Sequence, residues 1–168
     1  MNQLTIFKVI SFLLVPVALL FGLMSIIVFF MALSSNPALL LMGFAMACFV
    51  IYVFASLYFL MFSISNERPC KASIKDWIKV NAYGSLFISV LFLMNASAIF
   101  FINDINLRQI ISEMMEQQPE LSGKITLDVF IKMFKVVAGL MFTISALTIT
   151  HIFIHFKLLK RYDYLFSK

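Results

Sequence analysis

Between Val9 and Asn66 the chain contains no Asp, Glu, Lys or Arg. A water-soluble domain needs charged surface and has no place for so long an uncharged run. The run divides at Ser34-Ser35-Asn36-Pro37 into two apolar stretches, Val9–Leu33 and Ala38–Ser63. Each exceeds the ~20 residues that carry an α-helix across a ~30 Å hydrocarbon core. A connection of about four residues cannot return the chain across that distance, so the two stretches are expected to form an antiparallel helical hairpin.

Two further apolar stretches follow, Val80–Ile102 and Val129–Phe156. The expected fold is therefore an all-α membrane protein, a bundle of four transmembrane helices over about 9–33, 38–63, 80–102 and 129–156 in a single domain of 168 residues. Composition agrees: 62% of residues are hydrophobic and 12% charged, and mean hydropathy is +1.01, against roughly 25% charged in ordinary soluble domains. The apolar run after Lys8 is too long for the ~7–15-residue core of a secretion signal, and we expect it to be a retained first span.

The net charge of +5 does not point to nucleic acid, because the basic residues flank apolar spans. There they act as topology signals and contact anionic lipid headgroups. Lys8, Arg68, Lys71, Lys75, Lys79, Lys157, Lys160, Arg161 and Lys168 fall on one side of a four-span layout; Arg108, Lys124, Lys132 and Lys135 fall on the other. The bias places both termini in the cytoplasm and the protein in the cell (cytoplasmic or inner) membrane as a multi-pass protein.

Local features add detail. Pro16 is expected to kink the first span, as a packing bend or a hinge. Asn36 and Pro37 suit the start of the second helix. Gly43 with Ala47, and Gly139 with Thr143, are small residues four apart that allow close helix approach. On the third span Asn81, Ser85, Ser89 and Asn95 form a polar stripe, read either as hydrogen-bonding glue between helices or as the lining of a pathway. The loop before the fourth span carries an expected extracytoplasmic amphipathic helix, Leu107–Gln118, with Leu107, Ile110, Ile111 and Met114 on its apolar face. Asn106 and Gln109 resemble a capping box, and Pro119 and Gly123 form the stop. Asp128 and Lys132 are spaced to pair on the helix surface, and the basic, aromatic tail after Lys157 is expected to rest on an anionic leaflet.

Chemistry is sparse. His151 and His155 lie on one face of the fourth span and are weak candidates for a metal; a pair needs thiolates or carboxylates from elsewhere, and haem held between two helices needs a histidine on a second one. Hydrogen-bonded or interfacial histidines are the simpler reading. Cys48 and Cys70 are too far apart for a Cys-x-x-Cys site and read as free thiols. No span contains Asp or Glu, the usual intramembrane proton carriers, and no nucleophile, phosphate-loop or cofactor motif is present. The expected function is a non-enzymatic accessory, assembly or regulatory component of a membrane complex, with a membrane-protein partner or a second copy of itself. The alternative is a channel or transporter component lined by the third-span stripe. The topology predicts that a reporter fused after Lys168 works only if it is one that matures in the cytoplasm; activity of a secretion-dependent reporter at that position refutes it.

Overall fold

The computed structural model describes residues 3–34, 36–117 and 126–167. Within them the chain is almost wholly helical. Helix α1 spans Gln3–Ser34, α2 Leu39–Tyr58, α3 Ala72–Phe101, α4 Asp104–Glu116 and α5 Leu127–Arg161. A π-helical segment, Phe59–Ile64, continues α2. Four helices, α1, α2 with its extension, α3 and α5, are long and apolar enough to cross a membrane. At 1.5 Å per residue α1 is about 48 Å long, longer than a hydrocarbon core of ~30 Å is thick. It runs through Pro16 without a break in the helix.

The chain forms two compact units, residues 1–89 with 147–168, and residues 90–146. In the first, α1 and α2 form the expected antiparallel hairpin. A Cβ on Gly43 would lie 3.6 Å from Val28 Cγ1, and one on Gly22 would lie 3.8 Å from Val50 Cγ2. The partner in α1 thus recedes as α2 advances. Ser25 Oγ donates to the Gly43 carbonyl at 3.0 Å, a bond that the missing side chain leaves room for. Asn36 organises the turn but is not the cap: its Oδ1 accepts from Ala38 N at 3.0 Å, and Ala38, two residues further on, is the residue that precedes α2. In α1 the packed face is Phe7, Ile10, Ser11, Leu14 and Ala18, a helical repeat. Beyond it Leu20, Leu23, Ile27, Phe30 and Leu33 are exposed.

The core of this unit joins Ile10, Leu14, Phe49, Tyr52, Phe59, Ile78, Ile152 and Leu159. Two short strands, β1 (Cys70–Lys71) and β2 (Phe166–Ser167), pair in parallel, a small departure from a purely helical fold. The segment after α5 therefore does not simply lie outward as a basic tail. It turns through a 3₁₀ turn, Asp163–Leu165, buries Leu165, and stacks Phe166 on Phe59 at 5.0 Å. Cys70 is buried within this pairing, and neither Cys48 nor Cys70 is in a disulfide.

In the second unit α4 starts three residues earlier than expected. Asn103, not Asn106, is its cap, accepting from Ile105 N at 3.2 Å. The buried face is Leu107, Ile111 and Met115, packed with Ile131 and flanked by Phe130 and Phe134. Ile110 and Met114, expected on that face, are exposed. Leu107 and Ile111 lie on the inward face as expected, and Met115, four residues on, takes the next place in that stripe. Two ion pairs hold α4 to the start of α5: Arg108 with Asp128 at 2.8 Å and Lys135 with Asp104 at 3.0 Å. Asp128 thus pairs across the unit with Arg108, not along its own helix with Lys132. The hydrogen bond and charge of Lys135 hold the Asp104 carboxyl below the usual carboxylate range. The expected stop at Pro119 and Gly123, together with Lys124 and Lys168, lies outside the described residues.

Among the described glycines the closest approach is at Gly84, where a Cβ would lie 2.9 Å from Cys48 Cβ. Gly139, expected from sequence to be a close-approach site, has only Phe100 Cζ at 3.9 Å. Gly84→Ala is therefore expected to cost about 1–3 kcal/mol by overpacking. Gly139→Ala should be neutral or slightly stabilising through helix propensity. Thermal unfolding of the two variants in detergent checks the contrast, and equal midpoints refute it.

Candidate functional site: a buried histidine pair

The most concentrated buried polar chemistry lies where α5 meets α1 and α2 in the first unit. His151 and His155, one turn apart on α5, are both fully buried. So are Tyr52 and Ser56, one turn apart on α2, and Ser11 on α1 is nearly so. The two pairs with equal spacing meet as rungs. Tyr52 Oη lies 2.7 Å from His151 Nδ1, and Ser56 Oγ lies 2.8 Å from His155 Nδ1. A third contact links α1, with Ser11 Oγ 2.8 Å from His151 Nε2.

The direction of these bonds follows from counting protons. The Ser11 hydroxyl donates to the Phe7 carbonyl at 2.8 Å, so its lone pair faces the ring and His151 Nε2–H donates to it. Nδ1 then accepts from the Tyr52 hydroxyl. This assignment is inferred from the network. It leaves every polar atom of His151 paired. His155 differs: Nδ1 is engaged by Ser56, while Nε2 is buried without a hydrogen-bond partner.

Aromatic rings close the site. Phe7 stacks on His151 with centroids 4.4 Å apart and an 11° tilt, and lies 4.9 Å from His155. Phe59, the first residue of the π-helical segment, stacks on His155 from the other side at 5.9 Å. Phe59 follows directly on α2, and its N–H still bonds to the Ala55 carbonyl of that helix.

Ser11 and His151 have the separation of a nucleophile and its base, but the hydroxyl proton points to a backbone carbonyl and the third position holds a phenol, not a carboxylate. A proton passed from Tyr52 through His151 to Ser11 reaches the Phe7 carbonyl, which cannot hand it on. As a metal site the pair offers one uncommitted nitrogen. Among the described residues no group of three or more His, Cys, Asp or Glu can hold an ion. What this arrangement does is tie three helices together through directional bonds in an apolar core.

The other residues singled out in the sequence are dispersed. Asn81, Ser85 and Ser89 are buried in the first unit, whereas Asn95 belongs to the second and is exposed. Asn81 donates to Trp77 O at 2.8 Å, Ser85 to Asn81 O at 2.7 Å, and Asn95 to Leu91 O at 2.9 Å. These are bonds to the preceding turn of the same helix, the local alternative open to such side chains. Gly43 lies against α1 and Ala47 beside a groove between α1 and α2. Thr143 is exposed and donates to Gly139 O at 2.9 Å. Sequence reasoning found the histidines but missed Tyr52, Ser56 and Ser11. The matching four-residue spacing of Tyr52/Ser56 and His151/His155 was the available signal. The chain matches no protein-family model, no curated protein and no solved structure.

Removing the Tyr52 hydroxyl leaves His151 Nδ1 buried without a donor. Tyr52→Phe and His151→Leu should each lose about 1–3 kcal/mol, and the double variant should lose clearly less than their sum. Thermal unfolding of the four proteins of this cycle checks it; strict additivity would show that the two groups are not coupled.

Proposed function

We propose that the protein is a small integral membrane protein that crosses the cytoplasmic membrane four times with both termini in the cytoplasm, and that it acts as a non-enzymatic accessory or assembly partner within a membrane complex. The supporting observation is the surface of the α1–α2 hairpin within the first unit. A groove of about 630 Å3 runs there, floored by Ala18, Gly22 and Ala47 and walled by Leu23, Ile26 and Phe54. Small residues along a groove let another helix backbone come close, and such packing is the main drive for helix association in lipid. The occupant this geometry suits is an apolar transmembrane helix of a partner protein. The internal use of the polar groups around His151 fits the same reading, since it leaves this groove surface apolar.

On this reading α4 is an amphipathic helix on the extracytoplasmic side. Its inward face is Leu107, Ile111 and Met115, and its exposed face carries Arg108, Glu113 and Glu116. The alternative, a pathway along α3, draws less support. Asn81 and Ser85 are turned to their own helix, and Asn95 lies apart from them.

Filling the groove tests the proposal. Gly22→Leu and Ala47→Leu should leave yield and helix content unchanged while reducing a stoichiometric partner in gentle-detergent purifications by about tenfold, the effect of roughly 1.4 kcal/mol. Photo-crosslinking from Leu23 should capture the same protein. A partner retained equally by both variants, or crosslinked no better from Leu23 than from Phe87 on α3, refutes the groove as the contact.

A further inference from the structure

We infer that the cavity between the start of α3 and the end of α5 is a specific site for the phosphate headgroup of an anionic phospholipid. The inference rests on the bilayer reading proposed above. The cavity, about 470 Å3, lies entirely within the first unit and is lined by Lys75, Lys79, Tyr83, Phe156, Leu159, Lys160 and Asp163.

Its chemistry is layered. On α3, Lys79 is followed one turn deeper by Tyr83; on α5, Lys160 is preceded one turn deeper by Phe156. The helices run in opposite senses here, so the two ammonium groups share one rim and the two rings share one wall. The rings are 5.6 Å apart between centroids, and Leu159 adds to the same apolar surface. Lys75 is held by Asp163 and lies over the Phe166 ring at 5.6 Å, which fixes it at the edge of the cavity. Among the described residues Lys79 and Lys160 have no carboxylate partner. Three lysines and one aspartate leave the lining with an excess of positive charge.

A soluble anion needs the lysines but not the wall. A neutral lipid needs the wall but not the lysines. A ligand that satisfies both carries a negative phosphate above an apolar body, and this end of the two helices is the basic side on which the positive-inside bias places the anionic cytoplasmic leaflet. The pairing of Lys with an aromatic ring one turn deeper on both helices sets the phosphate at the rim and the glycerol and first acyl carbons against Tyr83, Phe156 and Leu159.

The test uses the full chain purified in detergent, stripped of lipid, and titrated with dioleoylphosphatidylglycerol or dioleoylphosphatidylcholine under native mass spectrometry. One phosphatidylglycerol should bind more tightly than phosphatidylcholine. Lys79→Gln with Lys160→Gln should weaken it by at least about tenfold, given the contribution of each basic residue near an anionic surface. Lys71→Gln with Lys157→Gln, the same charge change outside the cavity, should weaken it less than about threefold. Tyr83→Ala should also reduce lipid binding, and millimolar inorganic phosphate should not displace the lipid. Equal losses in the two lysine pairs, equal binding of the two lipids, or full displacement by inorganic phosphate each overturn the proposal, the last by showing a site for free phosphate. Resistance of the chain to carbonate extraction from membranes is measured on the same variants. Its loss would instead overturn the bilayer reading, which separates the two failures.

Discussion

Apolar side chains attract one another without direction, so two greasy helices can slide past each other at little cost. The rungs Tyr52–His151 and Ser56–His155 remove that freedom. Both require α2 and α5 to meet at one register, because a slip of one turn would pair a single rung and strand the other in an apolar core. Ser11 adds α1 to the same register through the second nitrogen of His151. Use of a few buried polar groups to specify register is well attested in helical assemblies, and we offer it as the reason these residues occupy positions that hydrophobic packing alone would give to Leu or Phe.

Around this ladder the rest of the first unit falls into place. Phe7 and Phe59 cover the imidazoles, Phe59 standing where α2 passes into the π segment. Phe166 stacks on the far side of Phe59, drawing the end of the chain back against Cys70 and Lys71. The close approach of Gly84 to Cys48 belongs to the same economy of space, since α3 can sit near α2 only where one of the two lacks a side chain.

The long helices were legible because they rest on hydropathy summed over many residues, a signal that no single neighbour can reverse. The hairpin was legible for the same reason, with the shortness of the Ser34–Pro37 link as the second constraint. Finer features depend on which helices meet, and a lone sequence carries little of that. The α4 face was read with Leu107 and Ile111 in place but with Ile110 and Met114 added and Met115 left out, because neighbouring residues there are equally apolar and only the position of Ile131 and its neighbours decides between them. The polar stripe on α3 was drawn through Asn95 by angle alone, whereas that residue lies six positions beyond Ser89 and in the other unit. The histidine pair was visible as a spacing, but its partners lie 99 and 140 residues away, and the matching spacing of Tyr52 and Ser56 gains meaning only once α2 and α5 are known to meet.

Those separations have a consequence for biosynthesis. Translation releases Ser11, Tyr52 and Ser56 long before the ribosome reaches the codons for His151 and His155. For that interval the nascent hairpin carries three hydroxyls whose imidazole partners do not yet exist. A serine can meanwhile turn to a carbonyl of its own helix, as Ser11 does with Phe7 even in the finished fold. A phenol is too long for that manoeuvre, so the Tyr52 hydroxyl gains its imidazole partner only once α5 has been made.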